Sequence, residues 1–196
     1  MRMQQCTGRP EFYTQGNFEQ GQPKGFRAET EGEYLVAARR RTVYFERTAD
    51  APGPVVIDIS RRTHFSEVDV MGIVWFGRYP LYFEEVSAEL GRKCGLSFQD
   101  FYLAGLRAPV VECHIDYYKS LFLDEEFTIR GTMVWHEGSR INTEYHLLKQ
   151  DGSLAVSGYT VQLLTDAVSG EVCIISPSLL ERCRERWKTG EFHRAQ

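Results

Sequence analysis

Four consecutive stretches of this chain alternate between apolar and polar residues, and this pattern constrains the fold more than any other feature. The alternating stretches are residues 111–117, 127–135, 141–147 and 154–164. A period of two is typical of strands that bury one face. The turns between them are short, and short turns join antiparallel neighbours. The sequence therefore predicts an antiparallel sheet.

A helical repeat precedes these strands. Residues 76–93 place apolar side chains at helical spacing. Pro80 fits such a helix in the first turn, where its missing N–H removes no hydrogen bond. The helix is therefore expected to begin near Phe76 or Gly77.

The order of these elements indicates an α+β domain. A strand over residues 55–67, the long helix and the four later strands give a sheet of about five strands, and residues 177–188 add a short C-terminal helix. We assign this domain to residues 55–196. Residues 1–54 contain many glycines and turn signals and are expected to form a partly flexible N-terminal appendage of unknown role. One helix covers one face of a sheet, so the uncovered edge or face is expected to pair with a second copy.

Charge and cysteine content argue against several classes of function. A net charge of −4 gives no indication of the basic surface that proteins use to bind nucleic acid. No apolar run approaches the roughly 18 residues that span a bilayer. The five cysteines are scattered without a CxxC pair, so neither a metal site nor a disulfide framework is indicated. A cytoplasmic protein without a cofactor is the simplest expectation.

The candidate for chemistry lies between the first strand and the long helix. Asp69 is followed by a glycine turn at Gly72 and then by the start of the helix. Backbone N–H groups at a helix N-terminus lack partners and attract negative charge. A carboxylate beside free amide donors can drive attack on a carbonyl and stabilise the oxyanion. The same carboxylate can also simply cap the turn or the helix.

These motifs, in this order, resemble the hot-dog-fold acyl-CoA thioesterases of the 4-hydroxybenzoyl-CoA thioesterase family. The resemblance covers about residues 58–166 and centres on the Asp-x-x-Gly-x-Val turn of residues 69–74. It implies an antiparallel sheet wrapped around one long central helix. It also implies hydrolysis of an acyl-CoA to a carboxylic acid and coenzyme A. The chain departs from the common pattern at Ile73, where many members carry histidine.

The resemblance also implies roles for individual residues. Asp69 is the implied catalytic carboxylate, either as nucleophile or as the base that activates water, and the N–H groups of Trp75 and Phe76 are the implied oxyanion donors. The implied substrate-binding residues are Gly72, Ile73, Val74, Tyr79 and Val111. Family active sites lie at a subunit interface, so a homodimer or homotetramer is expected. The partner's strand near residues 110–117 is then expected to line the pocket.

Three other functions stay open. An acyl-carrier-protein thioesterase would cleave the same bond, and a non-catalytic acyl-CoA-binding module would bind without hydrolysis. A hot-dog dehydratase or hydratase needs a histidine partnered with a carboxylate. The nearest histidine, His64, precedes the motif and is expected on the strand face opposite Asp69.

Other charged residues near the motif have simpler interpretations. Glu67 is interpreted as a solvated edge residue, with a like-charge effect on the pKa of Asp69 as the alternative. Glu84 and Glu85 are interpreted as residues of surface or interface ion pairs, with the catalytic acid that some hot-dog thioesterases carry on this helix as the alternative. Arg61 and Arg62 are interpreted as part of a solvated strand face, with contact to coenzyme A phosphates as the alternative.

Overall fold

Five long antiparallel strands form one sheet, and a long helix lies across one face of it. The structure, a computed structural model, describes residues 43–193. The strands in chain order are β1 (Val55–Arg62), β2 (Leu106–Arg107), β3 (Val110–Tyr117), β4 (Glu126–Val134), β5 (Arg140–Lys149), β6 (Leu154–Leu163) and β7 (Thr165–Asp166). The helices are α1 (Tyr79–Cys94), α2 (Phe98–Leu103) and α3 (Ser178–Lys188).

The order of strands in the sheet is β1-β4-β5-β6-β3, and each neighbouring pair is antiparallel. Strands β4, β5 and β6 are neighbours both in sequence and in space, as their short turns require. β3 forms the far edge by pairing with β6, while β2 and β7 pair in a small separate ribbon. The predicted α+β layout, with about five strands and one long helix, is confirmed.

The core at the centre of the sheet lies between α1 and the strands. The buried side chains on this face of α1 are Tyr79, Tyr82, Phe83, Val86 and Leu90. Phe83 stacks on Tyr145 of β5, with ring centroids 4.1 Å apart. A Cβ atom at Gly158 of β6 would lie 2.9 Å from the Phe83 ring and 2.3 Å from a backbone oxygen of β3. Glycine at this position therefore allows α1 to approach the sheet closely.

The start of α1 agrees with the prediction from Pro80. A 3-10 turn over Phe76–Arg78 leads directly into α1, and Pro80 lies in the first turn of the helix. The helix ends at Gly95, whose φ of 72° is the left-handed conformation that favours glycine. Phe76, the first apolar residue of the predicted helical repeat, is exposed instead of buried with the later apolar residues of the repeat.

The first strand is shorter than predicted. β1 ends at Arg62, and Phe65–Glu67 form a 3-10 turn instead of continuing the strand. Between them, the buried side chain of Thr63 donates its hydroxyl to the carbonyl of Phe122, and its N–H donates to the carbonyl of Glu125 at 2.9 Å. These bonds fasten the end of β1 to the connection between β3 and β4, so the ladder stops there.

Neither α2 nor the ribbon of β2 and β7 was predicted from the sequence. A signal for α2 exists, because Ser97 and Asp100 bond reciprocally in a capping box. The ribbon strands have two residues each, too few for a periodicity to appear. α3 matches its predicted range and begins after Pro177, and the hydroxyl of Ser176 just before it accepts a hydrogen bond from Arg184 at 2.7 Å.

A segment before β1 contacts the face of the sheet that α1 leaves uncovered. The carboxylate of Glu144, fully buried on β5, accepts the N–H groups of Tyr44 at 2.7 Å and Phe45 at 3.0 Å. It also pairs with Arg47 at 3.1 Å. These residues belong to the stretch that the sequence analysis assigns to an appendage. The first part of that stretch, residues 1–42, lies outside the described residues.

Candidate active site

Asp69 begins a tight turn at the tip of a small hairpin between β1 and α1. The hairpin is held by a bridge between Val68 and Val74. The N–H of Asp69 donates to the carbonyl of Ile73, and the N–H of Gly72 donates to the carbonyl of Asp69, both at 2.9 Å. Gly72 has a φ of 73°. The Asp-x-x-Gly pattern thus corresponds to a turn whose last residue needs glycine.

The turn uses one oxygen of the Asp69 carboxylate. Oδ1 accepts the N–H of Met71 at 2.8 Å, the arrangement of an Asx turn. Among residues 43–193, no donor contacts Oδ2, and the residue is partly exposed. Asp69 therefore caps its turn and still presents a carboxylate oxygen to a ligand.

Asp69 lies in an open cleft of about 340 Å³ at the N-terminal end of α1. The other predicted site residues that line this cleft are Ile73, Val74, Trp75, Phe76 and Tyr79. The structure therefore brings most of the predicted site together. Gly72 acts through the backbone of the turn and is not part of the lining.

The opposite wall of the cleft comes from the end of β3 and the loop after it, which the sequence analysis did not predict. The lining residues from this segment are Tyr117, Tyr118, Lys119 and Ser120. The hydroxyl of Tyr117 donates to the carbonyl of Phe76 at 3.3 Å. The alternating pattern locates β3 in the sequence but carries no signal that its end meets the start of α1.

Trp75 and Phe76 form an exposed aromatic rim, with ring centroids 4.9 Å apart and exposed fractions of 49% and 67%. The N–H of Trp75 donates to the carbonyl of Glu67 at 3.0 Å. That bond occupies the amide, so the predicted role of Trp75 as an oxyanion donor is corrected. Phe76 and Gly77 are the first residues of the helical segment, and their N–H groups have no intrahelical acceptor. The N–H of Phe76 stays a predicted donor.

The remaining predicted binding residues have different surroundings. Val74 and Tyr79 are buried and belong mainly to the core. Burial raises the pKa of Tyr79 to about 12, so its hydroxyl is protonated at neutral pH. Val111 lies half-exposed on edge strand β3 and does not line the Asp69 cleft of its own chain. Its role toward a partner subunit stays a prediction.

Glu67 is buried, which corrects its interpretation as a solvated edge residue. Its carboxylate pairs with Arg61 at 2.5 Å and Arg78 at 3.3 Å and accepts the N–H of His64 at 2.8 Å. Burial by itself would raise the pKa of Glu67, but the bonds from His64 and Arg61 outweigh it and lower the pKa. Arg61 also pairs with Glu85, so Arg61 belongs to an ion-pair network rather than to a solvated face.

Among residues 43–193, no group of three or more His, Cys, Asp or Glu side chains could hold a metal ion. The cysteines within this range are free thiols. None of the helices there is both long and apolar enough to cross a membrane.

A family model described as the thioesterase-like superfamily matches residues 63–183, more than half of the chain. The chain belongs to the thioesterase-like superfamily. The match includes the Asp69 turn, α1 and strands β3 to β6. The predicted resemblance to hot-dog thioesterases is confirmed, and the predicted enzyme class, a thioester hydrolase, is confirmed at the level of this superfamily. The finer assignment to the 4-hydroxybenzoyl-CoA branch stays a prediction.

Individual proteins agree with this assignment. "Putative acyl-CoA thioesterase YneP" from Bacillus subtilis is 26% identical over 105 residues, which cover 54% of this chain and 76% of that protein. The structure of a DHNA-CoA thioesterase from Staphylococcus aureus aligns with a TM-score of 0.61 at 20% identity, covering 72% of this chain and 97% of that one. A structure from Aquifex aeolicus aligns with a TM-score of 0.58 at 25% identity, covering 65% and 98%. The structural matches confirm the hot-dog fold.

Proposed function

We propose that this chain is an acyl-CoA thioesterase, which hydrolyses the thioester of an acyl-CoA to a carboxylic acid and coenzyme A. The observation that carries the proposal is the position of the Asp69 carboxylate, which uses only Oδ1 for the turn within the described residues. It lies in a cleft that also contains the start of the helical segment at Phe76. The superfamily and the name of the Bacillus subtilis relative support the acyl-CoA substrate.

In this proposal, Asp69 starts the reaction by one of two routes. Its carboxylate either removes a proton from a water that attacks the thioester carbonyl, or attacks the carbonyl itself to give an anhydride that water then hydrolyses. In both routes the carbonyl oxygen becomes an oxyanion, and the N–H of Phe76 donates to it. Collapse of this intermediate breaks the carbon–sulfur bond. Coenzyme A leaves as the thiol after protonation, and the acyl group leaves as the carboxylate.

Removal of the Asp69 carboxylate tests the mechanism. We expect Asp69→Ala to lower kcat/KM by about 10²–10⁴-fold, the usual contribution of a positioned acid or base, measured as thiol release from a panel of short, long and aromatic acyl-CoAs. Asp151→Ala is the matched control, because Oδ1 of Asp151 accepts the N–H of Ser153 at 2.8 Å in the same kind of turn, away from the cleft. Full activity of Asp69→Ala on every active substrate would contradict the mechanism.

The same panel separates the alternatives. Faster turnover of carrier-linked than CoA-linked acyl groups would indicate an acyl-carrier-protein thioesterase. Binding of acyl-CoA without hydrolysis by the unmodified chain would indicate a binding module. A cytoplasmic location is part of the proposal, and it is supported by the free thiols of the described cysteines.

We further propose a homodimer in which a second copy pairs along β3. In the described sheet β3 is an edge strand, and it exposes between 42% and 55% of Val110, Val111 and Tyr117. An apolar edge strand is normally covered or paired. Such pairing would bring Val111 toward the partner, in keeping with its predicted substrate-binding role.

Light scattering measures the mass in solution. A monomer at micromolar concentration would contradict the dimer, and a mass of four chains would indicate the tetramer.

A further inference from the structure

A second cavity, larger than the Asp69 cleft, lies along α1. Its volume is about 960 Å³, near the upper end of the roughly 300–1,000 Å³ that is typical of small-molecule sites. None of its lining residues also lines the cleft that contains Asp69. It lies between α1, α2 and the helix-facing side of β4, β5 and β6, with the ribbon of β2 and β7 at its rim.

The lining of this cavity is mainly apolar. Its apolar side chains include Ala88, Phe98, Phe101, Met133 and Ile141. The charged residues in the lining are Glu84 and Arg107, and both are exposed to solvent. A ligand inside the cavity therefore meets hydrocarbon and aromatic surface, with charge confined to solvent-exposed positions.

Two of the polar side chains in the lining, Ser87 and Gln162, are bonded within the protein. The hydroxyl of Ser87 shares a hydrogen bond of 2.6 Å with the hydroxyl of Tyr145, and Nε2 of Gln162 donates to the carbonyl of Ala108 at 2.8 Å. A hydroxylated aromatic acyl group needs free partners for its hydroxyls, and burying them without partners is costly. A saturated hydrocarbon chain has no such requirement, and it suits a lining that is mainly apolar.

We propose that this cavity binds the hydrocarbon chain of a fatty acyl group, so that long-chain acyl-CoAs are the preferred substrates. This inference rests on the proposed thioesterase function. Each methylene that leaves water contributes about fourfold in affinity, so a long chain gains far more from this cavity than a compact ring does. Along α1, Tyr79 of the cleft and Ser87 of the cavity are separated by about 12 Å of helix, a distance that an extended fatty acyl chain can cover.

The test fills the cavity with a side chain. Ala88 is exposed on α1 and lines the cavity, so Ala88→Phe occupies space that the chain would use. Ala104→Phe is the matched control, since Ala104 is also exposed but does not line the cavity. Thiol release is measured for saturated acyl-CoAs from butanoyl-CoA to octadecanoyl-CoA and for benzoyl-CoA.

We expect kcat/KM of the unmodified protein to rise with chain length. Ala88→Phe should lower the ratio of kcat/KM for hexadecanoyl-CoA to that for butanoyl-CoA by about fifteenfold, the loss of about two buried methylenes, while Ala104→Phe leaves this ratio unchanged. A preference for butanoyl-CoA or benzoyl-CoA overturns the inference, as does an unchanged ratio in Ala88→Phe. If Ala88→Phe does not fold, as judged by its thermal melt, the smaller Ala88→Leu replaces it and should lower the ratio in the same direction.

Binding of the non-hydrolysable thioethers S-butyl-CoA and S-hexadecyl-CoA separates this inference from the proposed function. If no acyl-CoA is hydrolysed but S-hexadecyl-CoA binds at least tenfold more tightly than S-butyl-CoA, and Ala88→Phe removes that difference, the thioesterase proposal fails and the cavity inference stands. Equal affinity for the two thioethers overturns the cavity inference, whether or not hydrolysis occurs.

Discussion

Glu67 and Asp69 are two residues apart, yet the structure gives their carboxylates opposite surroundings. Glu67 is 2% exposed, and two arginines and the N–H of His64 hold its oxygens. Asp69 is partly exposed in the cleft and accepts one hydrogen bond, from Met71 in its own turn. The first carboxylate fastens the end of β1 to the start of the helical segment, and the second remains able to meet a ligand.

The contrast teaches that the partners of a carboxylate, and not its residue type, separate a structural role from a chemical one. Glu144, on the other face of the sheet, follows the pattern of Glu67, since it is buried and held by two backbone N–H groups and Arg47. Removing one partner from such a buried set leaves charge without compensation. Asp69 belongs to no such set, so its replacement should cost activity and little stability.

The largest effect on activity is expected at Asp69, where a substitution directly tests the different roles of the two carboxylates. In Asp69→Asn the amide oxygen can still accept the N–H of Met71, so the turn is retained while the carboxylate is lost. We expect kcat to fall by about 10²–10⁴-fold and the free energy of unfolding to change by less than about 0.5 kcal/mol. Thiol release and urea unfolding measure the two quantities. A large loss of stability with activity retained would reverse the roles assigned to the two carboxylates.

A smaller effect on activity is expected when the N–H of Phe76 is removed. Phe76→Pro deletes this donor at a position where a helix accepts proline, and the extended conformation of Trp75, with ψ of 134°, suits a residue before proline. We expect kcat to fall by about 10²–10³-fold. Phe76→Ala is the control, since it removes the ring but keeps the N–H. Equal losses in the two variants would mean that the ring matters and the amide does not.

At Glu67 we expect a substitution to lower the stability of the fold and to have no direct effect on the catalytic step. Glu67→Gln removes the charge that the two arginines share and should lower the free energy of unfolding by about 1–3 kcal/mol, measured by urea denaturation. Glu89→Gln is the control, because Glu89 pairs with Arg92 on the exposed surface of α1, where water screens the two charges and loss of the pair should change stability far less. Similar effects in the two variants would show that burial of Glu67 does not matter.

The smallest expected effect is a change of folding stability with pH that arises from Glu67. Its pKa is lowered in the folded chain, since the bonds from His64 and Arg61 outweigh burial. Its contribution to stability is therefore present above the ordinary carboxyl pKa of about 4.3 and is lost as the pH falls through the lowered value. The difference in urea midpoint between the unmodified protein and Glu67→Gln should be constant above pH of about 6 and narrow in acid. A difference that widens in acid would contradict the assigned direction.

Much of the fold follows from local signals in the sequence. The alternating stretches predict β3 to β6, and Pro80 predicts where the helical segment begins. The end of β1 does not follow, because it depends on Thr63 bonding to residues about sixty positions later. The ribbon of β2 and β7 is too short to carry a periodicity. The cavity along α1 was also not predicted, since α2 and three strands have to meet before it exists.

The sequence by itself determined the antiparallel sheet, the start of α1 and the turn that carries Asp69, because alternation, the fixed φ of proline and the positive φ of Gly72 are local properties. Only the tertiary structure decided that Glu67 is buried, that the N–H of Trp75 is already bonded, and that the end of β3 completes the cleft. These features depend on segments that are distant in sequence and meet in space, and no local pattern records which groups will meet.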